Sequence, residues 1–200
     1  MQSFYAFVSK RRSIREYRDE PVSRDCIERI IQAGTWAPSA HDAQPWRFVV
    51  LEIPAAKRKL AEAMAAAYRR DLEQDGVSSH EVEEIVAESI ERFAGAPILV
   101  LVCLTMEAME VYPDEARQQA EHVMGVQSVA AAIQNMLLAI HAEGLGACWC
   151  CAPLFCPETV RAALELPSSY EPQALITLGY SAETPTPSER RLDSESLRYK

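Results

Sequence analysis

Two hundred residues with 48% hydrophobic and 24% charged side chains have the composition of one globular domain with a self-sufficient core, which excludes a disordered or collagen-like chain. Twenty Lys and Arg against 29 Asp and Glu give a formal charge of −9, a field that repels phosphate backbones and anionic lipid, so neither a nucleic acid nor a membrane is expected as partner. Against that background Lys10, Arg11, Arg12, Arg15 and Arg18 crowd five cations into nine positions, a local inversion that needs an explanation.

In chain order, a short helix is predicted over residues 3–10. The opening MQSFYAFVSKRRS lacks a secretory order of basic residues, apolar run and cleavage site, so a cytoplasmic chain with reduced cysteines is expected. Ser23 is placed to cap a second helix through about Ala33, with Ile27, Ile30 and Ile31 inward and Gly34 ending it. Residues 35–45, rich in Pro, Ser, Ala and Asp, read as a loop, and Arg47 to Glu52 as a strand. Two helices follow, near 55–73 and 79–93, parted by a turn at Asp75-Gly76, and the glutamates from Glu81 to Glu91 form a solvated face. The run ILVLVCL after Pro97 reads as a strand buried on both faces.

A long helix is predicted from about Pro113 to Ala142, with Val123, Val126, Ala130, Ile133, Leu137 and Ile140 at spacings of three and four. It approaches bilayer-spanning length, but Gln127, Ser128, Gln134, Asn135 and His141 are costly in lipid and basic anchors are missing. It reads as a helix buried in protein, with apolar surface broad enough for a dimer interface. Gly144-Leu145-Gly146 ends it; a strand over 147–151, a helix over 157–164 and a strand over 173–179 complete the order. Residues from about 181 to 200 read as an arm. The irregular alternation favours α+β over a doubly wound sheet, within one domain that carries a helical, lid-like insertion at about 55–93.

The basic cluster has two readings. It is favourable charge at the end of the first helix, or an anion pocket built from guanidinium forks and the Ser13 hydroxyl. The loop APSAHDAQPW, with small side chains and preset proline dihedrals, is either a plain connection or a close approach to a flat ligand. Cys148-Trp149-Cys150-Cys151 contains a C-x-x-C spacing, but it lies in an apolar, strand-like run and reads as buried thiols; Cys26 and Cys103 read as core. No histidine pair has zinc-ligand spacing, and G-x-S-x-G and a strand-borne G-x-G-x-x-G are missing from the sequence. His122 and His141 read as structural.

Taken together, RRSIREY, APSAHDAQPWRFVV, GLGACW after a long helix and a C-terminal basic pair resemble the nitroreductase family of FMN-dependent flavoproteins, over about residues 5–191. The C-terminal half is similar to the C-terminal domain of the ligase that builds the deazaflavin redox coenzyme. The resemblance implies an α+β fold with a central mixed or antiparallel sheet flanked by helices, and an obligate homodimer with FMN in two interfacial sites. NAD(P)H would donate hydride to the flavin in a ping-pong scheme, and a small nitro, quinone or enone-like acceptor would take it.

It also implies roles. Arg11, Arg12 and Ser13 would hold the FMN phosphate and ribityl chain, with Arg190 or Arg191 closing from the tail, and Arg15 would stand by the pyrimidine end of the ring. Pro38, Ser39, Ala40 and Asp42, with Gln44 nearby, would reach the flavin from the partner subunit. Trp149, Cys150, Cys151 and Ala152 would pack along the ring, with backbone N–H near Cys151 facing the hydride-accepting nitrogen. Asp42 departs from the family's frequent Asn, either repelling the reduced flavin or binding a ribityl hydroxyl. Cys151 lies near a position where some members carry Glu. Narrower alternatives are a dedicated reductase in deazaflavin-coenzyme biosynthesis and a slow flavin-storage dimer.

Overall fold

Seven consecutive apolar residues cannot present one face to water, and ILVLVCL is accordingly the innermost strand of a computed structural model that describes residues 3–185, 197 and 199. The elements are α1 (Phe4–Lys10), α2 (Arg24–Thr35), β1 (Trp46–Leu51), α3 (Pro54–Gln74), α4 (Ser79–Ala94), β2 (Ile98–Leu104), α5 (Glu115–Ala142), β3 (Gly146–Cys150), α6 (Pro157–Leu164) and β4 (Glu171–Gly179). The four strands form one sheet in the order β1-β2-β4-β3, every neighbouring pair antiparallel. The α+β expectation holds. The one parallel feature among the described residues is an isolated bridge between Ser13 and Ala147.

Strand periodicity distributes the core. Ile98, Val100, Val102 and Leu104 of β2 point to one face, packed beneath α2 and α5. Leu99, Leu101 and Cys103 point to the other, where Leu60 and Met64 of α3 and Val160 of α6 meet them. α4 packs on α3 through a smaller cluster of Ala65, Leu72, Val82 and Val86, while its glutamates stay in solvent. Lys57 of α3 is buried, and its Nζ donates to the carbonyls of Ala96 and Pro97 at 2.5 and 2.8 Å, tying α3 to the entry of β2.

Two expectations need correction. Gly34 does not end α2; the helix continues through Thr35. Its glycine is required by packing, since a Cβ there would stand 2.8 Å from Met136 Cγ of α5. Secondly, Val123 does not belong to the inner stripe of α5: it is 43% exposed. The N-terminal half of α5 buries Glu121, Gly125 and Ser128 instead. Gly125 admits Leu104 of β2, whose Cδ1 would be 3.0 Å from an added Cβ, and the two polar residues serve the loop described below.

Candidate functional site

After α1 the chain runs along the edge of β3. Ile14 N–H donates to Ala147 O at 2.9 Å, and Ile14 is buried. This approach explains Gly146, because a Cβ there would lie 2.7 Å from three atoms of Ile14. Gly144, at φ +76°, supplies the left-handed turn out of α5. Tyr17 pins the segment from the far side, its hydroxyl donating to Ile14 O at 2.6 Å and meeting Thr177 Oγ1 at 2.6 Å; burial pushes the phenol above its ordinary range. The start of the tail pairs back, with Arg18 N–H on Tyr180 O, Ala182 N–H on Glu16 O, and Arg15 N–H on Glu183 Oε1 at 2.6 Å.

The basic cluster both closes the end of α1 and lines a depression. Arg12 Nη1 donates to Ser9 O and Arg11 O at 2.6 and 2.8 Å, which is charge at a helix C-terminus. Its Nε, however, is buried without a partner. Lys10, Arg11 and Arg12 line a depression of about 230 Å³ with His141, Gly144 and Glu183. His141 stacks against Phe7 at 4.7 Å. Burial first, then the neighbouring Arg11, hold its pKa below the ordinary imidazole value. Arg190 and Arg191 lie outside the described residues.

The loop after α2 is strained. His41, Asp42 and Gln44 sit at φ 55°, 53° and 47°, a left-handed conformation that side chains rarely adopt and that clusters at functional sites. What holds them is visible. Ser39 Oγ accepts from Gln44 N at 3.1 Å, Gln44 Nε2 donates to Asp42 Oδ1 at 3.3 Å, and Ala40 N–H donates to Ser128 Oγ at 3.1 Å. His41 Nε2 lies 3.3 Å from Glu121 Oε1. Glu121 is 2% exposed and also accepts from Glu110 N–H at 3.0 Å. Sequence reasoning missed Glu121 and Ser128 as anchors of the loop. Their signal was polar residues on the inward face of an otherwise apolar helix.

At the far end of β3 a cavity of about 590 Å³ opens between the strand and the α3–α4 pair. Arg15, Trp149, Cys150, Cys151 and Ala152 line it together with Tyr68, Arg92 and Phe155, so the structure brings these five predicted positions to one place. Trp149 Nε1 is buried without a partner. The four neighbouring thiols are not uniformly buried: Cys148 is buried, Cys150 and Cys156 are half-buried and Cys151 is exposed. The exposure of Cys151 follows from its place, because β3 ends at Cys150 and Cys151 begins the turn that follows.

Within one protomer the loop and the basic cluster are separate. Arg11 stands near His141 at the C-terminal end of α5, whereas Ala40 and His41 are fixed to Ser128 and Glu121. At 1.5 Å per residue these anchors lie roughly 20 and 30 Å from His141 along the helix. Pro38, Ser39, Ala40, Asp42 and Gln44 therefore do not join Arg11, Arg12 and Ser13 in a single-chain pocket. Among the described residues, no three His, Cys, Asp or Glu side chains converge as a metal site.

Comparison with known proteins agrees across the chain. A model described as "Nitroreductase family" matches residues 8–180. A protein of Thermus thermophilus named NADH dehydrogenase is 37% identical over 207 residues, covering 90% of this chain and 88% of the relative. One from Methanothermobacter thermautotrophicus, named as an NADH dehydrogenase/NAD(P)H nitroreductase, is 31% identical over 180 residues, with 89% and 77% covered. A crystal structure from Desulfovibrio desulfuricans, described as a nitroreductase in complex with FMN, superposes with a TM-score of 0.74 at 31% identity, covering 100% of this chain and 98% of that one.

Proposed function

The chain belongs to the nitroreductase family, and from that premise we propose that it is an FMN-dependent oxidoreductase, working as a cytoplasmic homodimer, that takes hydride from NADH or NADPH and delivers it to a small nitro, quinone or enone-like acceptor. The observation that carries the reading is the division of site residues along α5. A loop held in a strained conformation some 20 to 30 Å from the basic cluster does not reach that cluster within its own protomer. A second copy packed on the open face of α5 would bring the loop to the basic cluster and β3 of its partner.

The residues present fit FMN. The phosphate asks for forked cations and hydroxyls, which Arg11, Arg12 and exposed Ser13 offer beside the unpartnered Arg12 Nε. The ring asks for a flat, mostly apolar wall with few polar groups, which Trp149 to Ala152 offer along the cavity lined by Arg15. Bound FMN would supply the two-electron chemistry, and the protein's part is to orient it and tune its charge. Arg15 lines the same cavity and would set a guanidinium beside the negative charge of a reduced ring, and the Glu183 carboxylate steadies its segment by accepting from the Arg15 and Glu16 backbone N–H groups.

The test is visible absorbance of the purified protein, followed by anaerobic titration with NADH and with NADPH. A yellow protein that bleaches rapidly is expected. A colourless protein that takes up no added FMN would sink the assignment, and bleaching over hours would leave the storage dimer. Arg11→Ala is expected to weaken FMN binding by about 1.5 to 3 kcal/mol, the range of a hydrogen bond to a charged group, read by fluorescence titration. Unchanged affinity would return the cluster to the helix-end role.

A further inference from the structure

Cys148 and Cys150 stand two residues apart on β3, so their side chains share one face of the strand. Their sulfurs are 3.8 Å apart, with the Cys150 thiol directed at Cys148 Sγ. Both line the cavity, as do the cations Arg15 and Arg92. β3 is an edge strand whose last pairing is Cys150 with Leu175, so Cys150 is at the place where the strand is freest to bend. Two thiols packed as small hydrophobes need none of these features.

We propose that Cys148 and Cys150 form a reactive dithiol site that a small hydroperoxide converts to an intramolecular disulfide in the wall of this cavity. The Cys148 thiolate attacks the outer oxygen of the hydroperoxide: an S–O bond forms, the O–O bond breaks, and the alcohol or water leaves with a proton. Cys150 then attacks the sulfenic sulfur: the S–S bond forms, the S–O bond breaks, and water leaves with the Cys150 proton. Two thiols and one hydroperoxide thus give one disulfide, one alcohol or water molecule, and one water. The direction of attack follows from the local charges. The hydrogen bond from Cys150 and the nearby Arg15 favour the Cys148 thiolate over the opposing cost of burial. Cys150, facing that charge and partly buried, is held as the thiol.

The geometry also makes the disulfide labile. A strand rise of about 3.3 Å per residue sets the two Cα atoms roughly 6.6 Å apart, at the upper end of the span of about 4.4–6.8 Å that a disulfide bridges. Closing the bond also draws the sulfurs in from 3.8 Å, so the end of the strand has to bend, and disulfides whose closure distorts the backbone are the readily reduced ones. Oxidation in this wall would bend the end of β3 and move Cys151, altering what the cavity admits. The dithiol shares Cys150 and Arg15 with the wall proposed for the flavin ring, but a sulfur–sulfur link is scored whether or not FMN is bound, so its failure and that of the flavin assignment are distinguishable.

The experiment treats the purified protein, with whatever it has bound, with graded hydrogen peroxide, then blocks free thiols and maps peptides by mass spectrometry. Expected is loss of two hydrogens in one peptide, assigned to a Cys148–Cys150 link and reversed by dithiothreitol, before Cys151 or Cys156 is modified. Cys150→Ser should leave a sulfenic acid at Cys148 that dimedone traps, while Cys151→Ser should link as wild type does. Phenylarsine oxide, which needs two close thiols, should bind one per chain and protect both cysteines from blocking. Oxidation first at Cys151, a Cys148–Cys151 link, or Cys148 and Cys150 both still free when Cys151 is oxidised would each overturn the proposal. The wild-type mapping decides even if a variant fails to fold.

Discussion

Gly146 and His141 show how much of the basic segment's position depends on single residues. A methyl group at Gly146 would stand 2.7 Å from Ile14 Cβ, Cγ1 and Cγ2, so either the strand or the cationic segment has to move. Gly146→Ala is expected to cost about 1 to 3 kcal/mol, the range for overpacking, visible as a lower denaturation midpoint with FMN affinity falling alongside. His141 contributes with the opposite logic. Because burial and Arg11 depress its folded pKa, the unfolded chain binds the proton more readily. The stability gained by keeping the ring neutral is therefore complete above about pH 6.5 and is lost as pH falls below that value. Thermal melts of His141→Gln should show a flatter pH slope than wild type just below about pH 6.5; an unchanged slope would remove His141 from the account. Glu143, whose pKa is lowered by its ion pair with Arg29, acts below that window, so the two effects separate.

At the scale of elements, the pattern of buried and open faces was legible where a period is strict and misleading where a helix serves two purposes. β2 read as doubly buried because seven apolar residues allow nothing else, and Ser23 read as a cap because a short hydroxyl ahead of a helical apolar pattern suits that place; its side chain does accept from Cys26 N–H. α5 misled because hydropathy assumes that inner positions are apolar. Its first half turns Glu121 and Ser128 inward to hold the 39–41 loop and leaves Val123 outside. Ser128→Ala should therefore release Ala40 N–H and cost about 1 to 2 kcal/mol, within the penalty for a lost partner of a part-buried donor, with the larger effect on the loop. Hydrogen exchange at residues 40–44 is the measurement. Lys57 is the corresponding anchor on the other face: with Nζ gone, two carbonyls lose a charged donor, and Lys57→Met is expected to cost about 2 to 3 kcal/mol by chemical denaturation. A change below a few tenths of a kcal/mol in either variant would mean that water replaces the bond without penalty.

For the whole molecule, the proposed site needs two copies. The decisive experiment uses two defective variants, Arg11→Ala in the basic cluster and Ser39→Gly in the loop, refolded together. In a symmetric dimer with shared sites, half the dimers are mixed and each mixed dimer regains one intact site, so about a quarter of wild-type activity should return. Recovery no greater than the average of the separate variants would place each site within one chain. Dilution should also release flavin as the dimer dissociates, because loop and cations then part.

The chain alone determined its class: strand and helix periods, the caps and the turn at Asp75-Gly76 are local consequences of residue type, and they are sufficient for an α+β domain with the right order of elements. It also marked the cationic cluster and the small-residue loop, because charge and composition are local too. The relation between those two places was decided by tertiary structure. A helix of 28 residues holds them apart by a fixed rise per residue, and no pattern within either motif encodes that separation. The same holds for Cys148 and Cys150. A C-x-x-C spacing drew attention to the wrong partner, and the pleat of an edge strand put the first thiol against the one two residues on.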